Sequence, residues 1–86
     1  MLKILAKTMK LEKIIKSVTM EFDEYEVTFY EITKSLCEKL DEPTPVLLTK
    51  HVLDFKRFNF CTFKAEDFVE NIHFDKMIFR HIIDKE

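Results

Sequence analysis

The chain has 86 residues, 47% of them apolar, with nine Phe, no Gly and a formal net charge of −2. A chain this short buries only about 60–65% of the surface its unfolded form exposes, so residues 1–86 make one domain, and their apolar content excludes disorder. The lack of Gly excludes phosphate-cradling loops and dinucleotide fingerprints, which need it where the backbone meets a ligand.

Ile4, Leu11, Ile14, Ile15 and Val18 recur at helical spacing and predict an amphipathic helix over about residues 2–16. Leu2, Leu5 and Met9 fall on its opposite side, with lysines between the two apolar faces. An element apolar on two sides lies between layers or meets another molecule, so Leu2, Leu5 and Met9 are the expected association surface. After Ser17 the period becomes two. Val18, Met20 and Phe22 alternate with Thr19 and Glu21, as in a short half-buried strand. A hairpin through Asp23 and Glu24, setting Phe22 opposite Tyr25, ranks second because such loops favour Gly or Asn.

Thr28 and Glu31 have capping-box spacing, and Val27 and Ile32 occupy hydrophobic-staple positions. They predict a helix with Phe29, Ile32, Leu36 and Leu40 on one face and Cys37 beside them. It ends near Asp41, because Pro43 disfavours helical geometry before it. Thr44 as N-cap and Pro45 at the first helical position restart a helix to about Arg57, with Leu48, Val52 and Phe55 as the buried stripe. Phe58, Phe60 and Thr62 alternate into a strand. Residues 63–71 read as a loop with a helical turn at Ala65 to Val69. Ile72 to Phe79 fits a strand, and equally a helix capped by Asp75 with Met77, Ile78 and Ile82 inward, so both stay open for the region 72–84.

The order helix, strand, helix, turn, helix, strand, strand, with the tight turn Asp41, Glu42, Pro43, Thr44, resembles winged helix-turn-helix domains. Glu31 to Leu36 looks like the first helix of such a unit. The expected fold class is therefore α+β, winged-helix-like. By that resemblance the helix from Pro45 to Arg57 takes the place of a recognition helix and residues 64–71 that of the wing, with DNA contact through Lys50, Lys56 and Arg57. Three features oppose it. Val46 to Phe58 holds seven apolar positions, leaving little room for base readout. The wing carries Glu66, Asp67 and Glu70 against Lys64 alone, and the total charge is negative.

Charge is segregated along the chain. Five Lys against Glu12 give residues 1–20 a charge of +4, and eight acids against Lys34 and Lys39 give residues 21–45 a charge of −6. Residues 46–64 carry +3 and residues 65–86 carry −3. Either neighbouring elements neutralise one another, which is the expectation, or a basic surface stays open to a polyanion.

Chemistry-bearing residues are sparse. Ser17 and Ser35 sit inside patterned elements, not at a strained turn where a nucleophile is activated. Cys61 with His73, or Cys37 with His51, would pair only if the fold joined them. The same four residues match tetrahedral zinc in number but lack paired ligand spacing. No enzyme activity, metal, cofactor or small-molecule substrate is expected. Two distant cysteines among apolar neighbours fit reduced core thiols in the cytoplasm, and the lysines between Met1 and Val18 rule out a signal h-region or membrane span there. The expected function is a non-catalytic interaction module acting through protein contacts, self-associating as a homodimer or homo-oligomer through its N-terminal helix. The alternative is a winged-helix-like nucleic-acid-binding transcriptional regulator.

Overall fold

A computed structural model of the chain describes residues 2–23 and 26–83. Its elements are β1 Leu2–Lys10, β2 Lys13–Phe22, α1 Phe29–Leu40, α2 Thr49–Phe58, β3 Phe60–Lys64 and β4 Lys76–Ile82, with a 3-10 turn at Ala65–Asp67. The strands form one antiparallel sheet in the order β2-β1-β4-β3. The helices pack their apolar sides on one face of it. The class is α+β, but the order is strand, strand, helix, helix, strand, strand, which differs from the winged-helix-like order expected.

The helix expected over residues 2–16 is a hairpin of β1 and β2. A period of two decides it: Ile4, Ala6 and Thr8 are completely buried, while Lys3, Leu5, Lys7 and Met9 are half-buried on the other face. Leu11, Ile14 and Ile15, which completed the helical spacing, are exposed. The turn consists of Leu11 and Glu12 at φ 52° and 64°. Its twist suits a two-residue hairpin, but the left-handed region costs a residue with a Cβ about 1–2 kcal/mol. Asp75 helps to hold it, because its Oδ2 accepts the Leu11 N–H at 2.8 Å and its own N–H donates to the Met9 carbonyl at 2.8 Å. The ladder shifts between Thr8 and Met9, leaving Ile15 unpaired as a bulge.

α1 follows the expected caps. Thr28 accepts the Glu31 N–H at 3.2 Å, Asp41 closes the helix in a left-handed conformation, and Ile32, Leu36, Cys37 and Leu40 are buried. α2 departs from expectation, beginning at Thr49 and not at Pro45. Residues 41–48 run between the helices without helical structure, so the tight helix-turn-helix is absent. Pro45 is buried, and the Val46 N–H donates to the Asp67 carbonyl at 2.7 Å, pulling this segment away from helical geometry. The cap comes from inside the helix: His51 Nδ1 accepts the Leu48 N–H at 3.0 Å. The buried residues of α2 are His51 and Phe55, whereas Leu48 faces out.

Of the two readings of this region a strand is observed, but as β4 over Lys76–Ile82 and not over Ile72 to Phe79, with Met77 and Phe79 buried and residues 72–75 outside the strand. The second-ranked hairpin falls on Glu24 and Tyr25, which lie outside the described residues. Aromatic rings join the layers. Phe29 meets Phe55 with centroids 5.1 Å apart, and Phe63 meets Phe79 edge-on, also at 5.1 Å. Each fully buried ring contributes about 1.5–3 kcal/mol. Among the described residues, no helix is long and apolar enough to cross a membrane.

Candidate functional site

With both helices on one face of the sheet, the other face is left uncovered, and strand alternation decides what it displays. Read across β2, β1, β4 and β3, one row is Thr19, Leu5, Arg80 and Phe60, and the next is Ser17, Lys7, Ile78 and Thr62. Ile14, Met9, Lys76 and Lys64 form the row nearest the β1–β2 turn; Glu21, Lys3 and Ile82 form the far row. Among the described residues, this face therefore carries five cations, Lys3, Lys7, Lys64, Lys76 and Arg80, against the single acid Glu21. Its net charge is +4 in a chain of −2, so all other residues together carry −6.

Among the described residues, none of the five cations has a carboxylate within ion-pair distance. Lys64 and Lys76 stand directly opposite each other. Like charges so placed repel, and an anion between them would remove the repulsion. Two acids, Glu66 and Asp75, border a shallow depression with the same two lysines, and the Asp75 carboxylate already holds the Leu11 N–H. Lysine stems and Leu5, Met9, Ile78 and Ile82 make the floor between the charges half-buried and apolar.

At the β3 edge the face acquires aromatic character. The Arg80 guanidinium lies 5.5 Å from the Phe60 ring centroid, and Phe60 is 6.4 Å from Phe58 at the end of α2. Both Phe rings are exposed, at 39% and 59%. Beside them, between α2 and β3, a cavity of about 320 Å³ is lined by Lys50, Asp54, Phe58, Phe60, Thr62 and Lys64, together with His51 and Cys61.

The other lysines of the first hairpin have different roles or positions. Lys16 points to the helix side, where Nζ donates to the Leu40 carbonyl at 3.0 Å, the favoured place for a cation at a helix C-terminus. It also lies 3.0 Å from Oε2 of the buried Glu42, an ion pair by distance without the direction of a hydrogen bond. His73 Nε2 approaches the same oxygen at 3.5 Å. Lys10 and Lys13 face each other at the exposed end of the hairpin.

The residues singled out from sequence separate in space. Leu5 and Met9 share the uncovered face, whereas Leu2 lies on the helix side against the core. Lys50, Lys56 and Arg57 are exposed on α2, away from the uncovered face, and Lys50 lines the cavity. The sequence reading did not single out Lys3, Lys7, Lys76 or Arg80 as site residues. The signal was the alternation Lys3, Leu5, Lys7, Met9 against Ile4, Ala6, Thr8.

Of the other chemistry-bearing residues, His51, Cys37 and Cys61 are buried. His51 Nδ1 takes the Leu48 N–H, which places the ring proton on Nε2, 3.3 Å from Asp67 Oδ2. With both nitrogens engaged, the imidazole has no lone pair for a substrate. Burial pushes both thiols up to about 12, with a further rise from Glu42 at Cys37 and from Asp54 at Cys61. They stay protonated at neutral pH and are poor nucleophiles. Among the described residues, no three His, Cys, Asp or Glu side chains gather to hold a metal.

No protein-family model matches the chain, and no curated protein or solved structure is significantly similar to it.

Proposed function

We propose that this protein is a non-catalytic binding module whose uncovered sheet face takes nucleic acid through its phosphates. The observation that carries the reading is the five cations gathered against one acid on that face, none with a carboxylate in ion-pair distance among the described residues. Charge complementarity points to an anionic partner, and the exposed Phe60 and Phe58 favour one that brings flat rings over an acidic peptide. The nucleic-acid reading from sequence thus moves from α2 to the sheet.

The test is fluorescence anisotropy with labelled DNA between 50 and 200 mM salt. Neutralising five phosphates would give a log–log slope of about −3 to −4 on a single strand. Lys7→Glu with Lys76→Glu should abolish binding, whereas Lys56→Glu with Arg57→Glu should leave it nearly intact. Binding that follows the α2 pair would return the site to the helix. Polyglutamate binding as tightly as DNA would replace nucleic acid with an acidic protein segment.

A second reading, self-association, draws on Leu5, Met9, Ile14, Ile78 and Ile82 lying between the charges. A two-fold dimer through this face would set its cations against their own copies, which opposes the apolar gain. Sedimentation of the protein and of Leu5→Asp with Met9→Asp separates the readings. A dimer that the double substitution converts to a folded monomer would favour self-association.

A further inference from the structure

We infer that the occupant of this face is a single strand, one base of which stacks on Phe60 at the β3 edge. This inference rests on the nucleic-acid reading above and deepens it by naming the form of the ligand.

Two observations converge on a single strand. First, the uncovered face is a sheet surface bearing only side chains, and both helices pack against its other side, so among the described residues no helix projects from it to enter a major groove. A duplex would meet this surface chiefly through its phosphates, whereas a single strand also offers it the faces of its bases. Second, the face ends in rings whose exposure the core does not need. Phe63, in the same strand, is completely buried, whereas Phe60 and Phe58 are exposed side by side with their centroids 6.4 Å apart. Large exposed aromatics beside a cation favour unstacked bases, and stacking tolerates any sequence because every base has a π face.

The arrangement also gives the strand a path. Lys3 and Lys7 lie four residues apart along β1, a span of about 13–14 Å, and Arg80 and Lys76 repeat that spacing on the adjacent β4. Phosphates held by these four pass toward Lys64 on β3, and Arg80 at 5.5 Å from Phe60 couples the charged track to the stacking ring. Beyond the ring, the cavity of about 320 Å³ falls in the range of small-ligand sites. Its polar lining, Lys50, Asp54 and Thr62, offers donors and acceptors to the edge of the following base.

The test compares a labelled single-stranded oligonucleotide, the duplex of the same length, and heparin, a polyanion without bases. The expected result is tighter binding of the single strand than of the duplex, with Phe60→Ala weakening the single strand about tenfold and leaving heparin unchanged. Circular dichroism checks that the variant is folded. Phe60→Trp supplies a second readout, because the chain has no Trp: its lone indole emission should be quenched by the single strand and not by heparin. Equal affinity for single strand and duplex, an unaffected Phe60→Ala, or an unquenched indole would overturn the stacking inference while leaving phosphate binding in place. If neither DNA nor heparin binds, the nucleic-acid reading itself fails.

Discussion

Lys64 and Lys76 face each other across the β3–β4 ladder, on the same side of the sheet, with no carboxylate among the described residues in ion-pair reach of either. A like-charged pair at directly opposed positions weakens a sheet by about 0.2–1 kcal/mol. Repulsion kept in the unbound protein is relieved when an anion settles between the two ammonium groups. Lys76→Glu should therefore raise stability in urea by a few tenths of a kcal/mol and weaken DNA binding about threefold or more. A variant that binds as before would show the pair to be idle.

His51 and Asp67 join three stretches of backbone. The ring caps α2 through Leu48, while Asp67 Oδ2 takes the His51 side chain and, at 2.9 Å, the Lys64 N–H. His51 is 1% exposed and Asp67 7%, so water cannot readily replace a lost partner. Asp67→Ala strands the buried His51 Nε2–H and the part-buried Lys64 N–H and should lower stability by about 1–3 kcal/mol, measured from the urea midpoint. A loss below about 0.5 kcal/mol would mean that the contact is incidental.

The strained hairpin turn offers a change in the other direction. Glu12 sits at φ 64° with no glycine to accept it. Glu12→Gly removes the Cβ conflict at some entropic cost in the unfolded chain, for a net gain of about 0.5–1 kcal/mol. Thermal melting reads it directly. An unchanged or lower midpoint would show that the turn carries no strain at that position.

The buried thiols set an alkaline limit. Well below pH 9.0 both are protonated whether the chain is folded or not. Between 9.0 and about 12 the unfolded chain releases protons that the folded chain keeps, so the unfolded state binds fewer and stability falls as pH rises. The slope is about 1.4 kcal/mol per pH unit for each thiol. Urea midpoints at about pH 8 and about pH 10.5 should diverge less in Cys37→Ala than in the parent protein. Identical pH dependence in the two would remove the thiol from the explanation.

Local signals were legible where one residue's chemistry decided the outcome. Thr28 capped α1 as its spacing with Glu31 required, and Asp41 ended the helix before Pro43. They failed where tertiary contacts outweighed them. Thr44 and Pro45 form a helix start by local rules, yet Val46 bonds to Asp67 and His51 caps the helix several residues later. The first hairpin was hidden for a related reason. Its turn uses Leu11 and Glu12 where Asn and Gly would have announced it, and its uncovered face interleaves Leu5 and Met9 with lysines. Apolar residues on both faces blurred the alternation. The candidate face could not be assembled from sequence at all, because Leu5, Arg80 and Phe60 become neighbours, and Lys3 and Lys76 come to share their face, only through the pairing of β1 with β4 and of β4 with β3.

Among the described residues, the division of charge makes the molecule electrically two-sided, positive on the uncovered face in front and net acidic over the rest. The front of one copy attracts the back of the next, and contact between unlike patches need not close on itself. Concentrated protein in dilute buffer should therefore build open-ended strings that scatter light and dissolve as salt is added. An oligonucleotide covering the front would act as a stopper, clearing the turbidity at an ionic strength where salt alone does not.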